Sequence, residues 1–252
     1  MTILTCGLHD PKAGLQWLSD KHSKKLLSMF DQVVVSASSL TDKPYLQRLS
    51  DQGYIVHRRK KNNITTSYLE AIKQAYALNP DTILYCDFDR AMHWVHTQAK
   101  ELSCVAKHIE PTGYFIGMRG PKEYATHHDA LRYTEELPNA IISDFMGESS
   151  RKDYLSGCYG FSHAAAEFII KNLSFKSWAT FGEWPLIMKK NGYPPTYAVC
   201  KGLAWENANQ HQEEVKRAGS VNAYREQLST PAEWKRRSEM ALEFVSSLIL
   251  KP

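Results

Sequence analysis

The first ninety residues alternate short β-forming runs with segments of helical periodicity, an order that restricts the chain to a mostly parallel sheet with crossover helices. Ile3-Leu4-Thr5-Cys6 reads as a strand, and Pro11 and Gly14 turn the chain into a helix carrying Leu15, Leu18, Leu26, Leu27 and Phe30. Val33-Val34-Val35 is a buried strand whose end, Ser36-Ala37-Ser38-Ser39, leads into a helix from about Tyr45 to Asp51, closed by Gly53. Tyr54-Ile55-Val56 is a third strand. Asn62-Asn63 and Thr65-Thr66 supply caps for a helix with Tyr68, Leu69, Ile72, Ala75 and Tyr76 on one face, stopped by Asn79-Pro80. Thr82-Ile83-Leu84-Tyr85-Cys86 is the fourth strand, and it runs directly into Asp87-Phe88-Asp89.

Beyond Asp89 the pattern loosens. It predicts a helix from about Trp94 to His108, a strand at Tyr114-Phe115-Ile116, and a polar surface lobe over residues 119–140. Gly157-Cys158-Tyr159-Gly160-Phe161-Ser162 precedes a helix from Ala164 to Asn172. A second helix follows Phe181-Gly182-Glu183-Trp184-Pro185 as far as Lys190, and Tyr197-Ala198-Val199-Cys200 is a late strand. Residues 207–230 are polar and predict a mobile segment or a solvated helix. Pro231 to Leu250 reads as an amphipathic helix, with Trp234, Met240, Phe244, Val245 and Leu248 on or near one face, packed on the same domain rather than on a membrane.

The net charge of +4 weakly favours an anionic ligand, but the basic residues are dispersed except at Arg58-Arg59-Lys60-Lys61, so charge alone does not imply nucleic-acid binding. That run either contacts phosphate or forms a solvated loop, and Arg119 presents the same choice. Five cysteines with no C-x-x-C pair suggest neither a zinc site nor a complete disulfide framework, and the expected setting is a reducing cytoplasm. The start lacks signal-peptide character, and no run approaches the roughly 20 apolar residues that cross a bilayer. His127-His128 has no carboxylate at metal spacing and is read as surface, and His93-Trp94 as a partly buried structural pair.

With eleven aspartates in the chain, one D-x-D triplet is close to the roughly 0.5 expected by chance, so its placement has to supply the meaning. Ligands of open α/β sheets collect outside the carboxyl ends of strands, where Asp87 and Asp89 fall. Two carboxylates there can bridge a hard divalent cation to a diphosphate. Alternatively they cap the next helix or pair with Arg90.

The strand-helix order ending in Asp87-Phe88-Asp89, followed by Gly157 to Ser162 and Gly182-Glu183-Trp184-Pro185, resembles the GT-A nucleotide-sugar glycosyltransferases over roughly residues 1–206. The resemblance implies a GT-A α/β fold with a mostly parallel, Rossmann-like central sheet. It implies a catalytic domain over 1–206, with a nucleotide-binding half over about 1–110 and an acceptor half over 111–206, and residues 207–252 packed against it. It further implies a metal-dependent, hexosyltransferase-type enzyme that moves sugar from a nucleoside-diphosphate sugar to a hydroxyl acceptor with Mn²⁺ or Mg²⁺. Carried over by position, Asp87 lies near ribose or sugar, Asp89 on the metal, Ser36 and Ser38 near the base, and Glu183 near the acceptor hydroxyl. Arg58 is a phosphate contact, and Glu206 and His211 are candidates for a further metal ligand. The serine-rich end of the second strand and the Glu183-Trp184 pair depart from the acidic residues many members carry there. Glu183 suits a general base, or it balances the charge of a helix N-terminus. A sugar-phosphate nucleotidyltransferase would need a Gly-rich basic loop, and Gly7-Leu8-His9-Asp10-Pro11-Lys12-Ala13-Gly14 has one Lys and two separated Gly. A non-catalytic nucleotide- or carbohydrate-binding module is the remaining alternative.

Overall fold

The structure is a computed structural model and describes residues 1–60, 64–105, 108–109, 113–173 and 177–249. Lys61, the caps expected at Asn62-Asn63, and Leu250 lie outside these residues. Seven strands form one sheet: β1 (Thr2–Leu8), β2 (Gln32–Ala37), β3 (Ile55–Arg58), β4 (Thr82–Cys86), β5 (Tyr114–Met118), β6 (Cys158–Ser162) and β7 (Thr196–Val199). Their spatial order is β3-β2-β1-β4-β6-β5-β7. All neighbours are parallel except β6, which runs antiparallel to both β4 and β5.

Strand alternation divides the core between the two faces of the sheet. Leu4, Cys6, Val33, Val35, Leu84 and Cys86 meet helices α1 (Gln16–Leu27), α2 (Lys43–Gln52) and α4 (Phe88–Val105). Ile3, Val34, Ile83 and Tyr85 meet α3 (Ile64–Tyr76), α6 (Asp129–Phe145), α7 (His163–Asn172), α8 (Thr180–Lys190) and α11 (Pro231–Ile249). The local signals behave as the sequence implies. Asp42 caps α2 by accepting the Tyr45 N–H at 2.8 Å, and Gly53 ends it at φ +106°. Ser162 caps α7 through the Ala165 N–H.

Three expectations are corrected. The helix after the aspartates begins at Phe88 rather than near Trp94, because Phe88, Ala91, Met92 and Val95 are already a buried helical face, and it is interrupted at Gln98. Residues 119–140 are not a solvated lobe: α5 (Pro121–Ala125) and α6 enclose a polar network in which Glu135, Asn139 and Asp153 are buried around Arg119. His127 and His128 are buried rather than on the surface. Residues 207–230 meet the solvated-helix alternative: α9 (Gln212–Ala218) buries none of its residues and α10 (Val221–Gln227) only Tyr224, after a 3-10 turn, Asn207–Asn209, that docks on the rest of the fold. There the Trp17 indole N–H donates to the Asn209 carbonyl at 2.9 Å. The approach is close enough that a Cβ on Gly14 would lie 2.1 Å from the Gln210 carbonyl oxygen. The C-terminal helix α11 packs as its pattern predicts, burying Met240, Phe244 and Leu248.

Candidate active site

Asp87 occupies the one-residue step between β4 and α4. Its carbonyl accepts the Ala91 N–H at 2.8 Å, and its Oδ1 accepts the Tyr85 hydroxyl at 2.6 Å. Asp89 stands in the first turn of α4, its Oδ1 accepting the Arg90 N–H at 2.8 Å. Glu206, 116 positions beyond Arg90, returns to this point: Arg90 Nε lies 3.6 Å from Asp87 Oδ2 and 3.4 Å from Glu206 Oε1. Burial, reinforced by Glu206 and Asp87, pushes the Asp89 carboxyl up to about 8. Burial also raises Asp87, against the opposing pull of Arg90. The reading of these carboxylates as helix-start groups beside Arg90 is met, Asp87 by an ion pair and Asp89 by the Arg90 backbone N–H, and the acidic groups stand beside a cavity.

That cavity, of about 380 Å³, opens at the carboxyl ends of β1, β2 and β4, and Asp87 and Asp89 form part of its wall. His9, Ser38 and Arg59 also line it. His9 Nδ1 is 2.9 Å from the Ser38 hydroxyl, which meets Thr41 Oγ1 at 3.0 Å. Ser38 lines the space as expected. Ser36 does not, because it is fully buried behind the cavity, where its carbonyl accepts a hydrogen bond from Arg59 Nη1. Of the basic run, Arg59 rather than Arg58 faces the cavity. Arg58 ends β3 exposed, donating to the Ser39 carbonyl, whereas the Arg59 N–H continues the ladder to the Ala37 carbonyl at 2.8 Å and turns its side chain inward. Burial lowers the Arg59 pKa from its ordinary value.

A second cavity, of about 150 Å³, shares Tyr68 and Asp87 with the first. Arg90, Glu135, Tyr159, Phe181 and, from α11, Arg236 and Arg237 line it. Glu183 sits in the first turn of α8, is 3% exposed, and lines neither cavity, so the acceptor-side placement is not met; the neighbouring Phe181 takes the cavity wall instead. His211 also lines neither cavity: at the start of α9 its ring lies against Tyr224 and 4.0 Å from Glu214. Arg119 is not a phosphate contact. Its buried guanidinium donates to Asp153 at 2.7 and 2.8 Å and to Glu135 at 2.6 Å. The sequence reading missed His9, Tyr68, Gln210 and the two arginines of α11, none of which carries a local signal beyond its residue type.

Among the described residues, no group of three or more His, Cys, Asp and Glu side chains is arranged to hold a metal ion by itself. A divalent cation at a diphosphate commonly takes only one or two carboxylates, its remaining ligands being phosphate oxygens and water. Asp89 and Glu206, whose Oε2 is buried without a hydrogen-bond partner, are hard oxygen donors of that kind.

The sheet order with its reversed β6 is that of the GT-A type of α/β fold. Among solved structures, the chain is similar to glucosyl-3-phosphoglycerate synthase of Mycobacterium tuberculosis, with a TM-score of 0.59 and 13% identity over 100% of this chain and 82% of that one. The same enzyme in complex with uridine diphosphate aligns with a TM-score of 0.50 and 15% identity, over 78% of this chain and 69% of that one. No protein-family model matches the sequence, and no curated protein matches it significantly. Among the described residues, no helix is long and apolar enough to cross a membrane.

Proposed function

We propose that this chain is a metal-dependent glycosyltransferase that takes its sugar from a nucleoside diphosphate. The observation that carries the reading is the larger cavity, which brings Asp87 and Asp89 together with the buried cation Arg59 at the carboxyl ends of the parallel strands. Arg59 suits the negative charge of a nucleoside diphosphate, and a divalent cation would bridge that charge to the aspartates. The likeness in fold to an enzyme crystallised with uridine diphosphate supports the same choice.

In this reading Ser38 and His9 border the nucleoside, Asp87 is near ribose or sugar, and Asp89 with Glu206 holds Mn²⁺ or Mg²⁺. When bound, the cation offsets negative charge gathering on the departing diphosphate. The hydroxyl acceptor enters through the smaller cavity, which joins the first at Tyr68 and Asp87. The burial of Glu183 away from both cavities favours, as a second reading, a binding module that keeps the donor site without turnover.

Calorimetry with UDP, GDP and other nucleoside diphosphates, with and without Mn²⁺, tests the proposal on the wild type and Asp89→Ala. Binding that needs both the metal and Asp89 is expected. If no diphosphate binds, or binding ignores both, the donor site is disproved. Hydrolysis or transfer of a bound donor sugar separates the enzyme from the module.

A further inference from the structure

We infer that Arg90 is the resident counter-cation of this site and that a divalent cation held by Asp89 and Glu206 competes with it for Glu206. The inference rests on the donor-site reading for the presence of the metal, and on Arg90's own surroundings for the rest. The Arg90 side chain is 13% exposed and lies between two carboxylates, yet its contacts at 3.6 and 3.4 Å are ion pairs without hydrogen-bond geometry. Among the described residues its Nε and Nη1 donate to nothing and Glu206 Oε2 accepts from nothing, although all three atoms are buried.

A guanidinium that serves only to hold a fold is bound differently in this same protein. Arg119 grips Asp153 through two hydrogen bonds of 2.7 and 2.8 Å. Arg90 is instead held by charge without direction, so little geometry is lost when another cation takes Glu206. Space for it to yield is present. Arg90 borders the smaller cavity; Gly157, by contrast, packs tightly on Arg90, so that a Cβ there would stand 2.8 Å from Arg90 Nη1 and 2.7 Å from Asp87 Oδ2. The position needs glycine for its backbone as well, at φ +72°. Arg90 thus balances the buried carboxylates while the metal is away and opposes its entry by like-charge repulsion.

The test is titration of Mn²⁺ alone, without nucleotide, into wild type, Arg90→Gln and Arg90→Lys, with thermal unfolding in EDTA and in saturating Mn²⁺. Removing the competing charge in Arg90→Gln is expected to tighten Mn²⁺ binding about tenfold or more. The same variant should melt below wild type in EDTA and regain most of the difference in Mn²⁺. Arg90→Lys, a single point charge unable to span both carboxylates, should bind Mn²⁺ with an affinity between the two, and it decides the matter if Arg90→Gln does not fold. Mn²⁺ binding no tighter than wild type in the folded variants overturns the inference. A titration of wild type with UDP and Mn²⁺ separates the two ideas. If UDP binds with Mn²⁺ while the variants leave metal affinity unchanged, only the role of Arg90 fails; if wild type and variants bind neither, the donor site fails with it.

Discussion

Replacing Arg119 with methionine keeps much of the buried volume and removes the charge that two carboxylates share. The side chain is fully buried, donates to Asp153 at 2.7 and 2.8 Å, and donates to Glu135 at 2.6 Å. Breaking a buried pair in this way costs about 3–5 kcal/mol. The lower end applies here, because Asp153 keeps Asn139 Nδ2 at 3.2 Å and the Leu155 N–H at 3.3 Å, and Glu135 keeps Arg237 at 3.2 Å. A loss of about 3 kcal/mol is a large part of the roughly 5–15 kcal/mol that holds a domain folded, and for this length it lowers Tm by about 6–12 °C.

The pH dependence distinguishes this cause from simple loss of packing. In the wild type Arg119 holds the Asp153 carboxyl below its ordinary value despite burial, so its contribution is complete above about pH 4 and is lost on acidification. In the variant the charge and side-chain hydrogen bonds of position 119 are gone, and burial, opposed by the backbone N–H bonds that remain, raises that pKa. The unfolded chain then releases its proton near pH 4 while the fold retains it, and stability falls as pH rises. Urea unfolding followed by tryptophan fluorescence should therefore show a gap between wild type and Arg119→Met that is wider at pH 7.5 than at pH 5. A loss under about 1 kcal/mol, or a gap that narrows with rising pH, refutes the reasoning.

Three further outcomes are expected. Arg59→Met should weaken UDP binding about tenfold, as loss of one charge-assisted bond to phosphate does, whereas Arg58→Met should change it less than about twofold; calorimetry on both variants decides which arginine faces the donor. Phe244→Ala should destabilise the protein by about 3–5 kcal/mol in urea unfolding, since Phe244 is 4% exposed where α11 meets Trp178 and Phe181. Burial, with Arg237 nearby, holds His128 neutral down to about 4, while an unfolded histidine takes its proton near 6.5. The unfolded chain thus binds more protons between those values, so stability should drop as pH falls from about 6.5 to about 4, and His128→Asn should flatten that slope in urea midpoints.

The parts of the fold that the sequence makes plain are those whose reasons are local. β4 is read to the residue because an apolar run bounded by Pro80 and Asp87 has one solution, and α2 follows from Asp42, Pro44 and Gly53. The polar network was hidden because Arg119, Glu135 and Asp153 are core residues only in one another's company, and nothing within a short window of any of them records its partner. The same is true of Glu206, whose place beside Arg90 depends on the chain returning after more than a hundred residues. Between Arg58 and Arg59 the decision lies in where the β3 ladder ends, a one-residue matter that charge patterning does not resolve.

The reversal of β6 decides which stretches of chain can change without disturbing one another. Because Cys158 pairs with Cys86, the loop entering β6 arrives at the same rim of the sheet where β4 delivers Asp87. A parallel strand of this length would have carried that loop to the opposite rim, about 15 Å away. Residues 119–157 thus leave β5 and return to the rim as one cassette, anchored at both ends by the sheet. A change in that cassette reshapes the smaller cavity, which Glu135, Leu155 and Gly157 help to line, and must keep the ion pair of Glu135 with Arg237 of α11, while the strand order that builds the larger cavity stays the same.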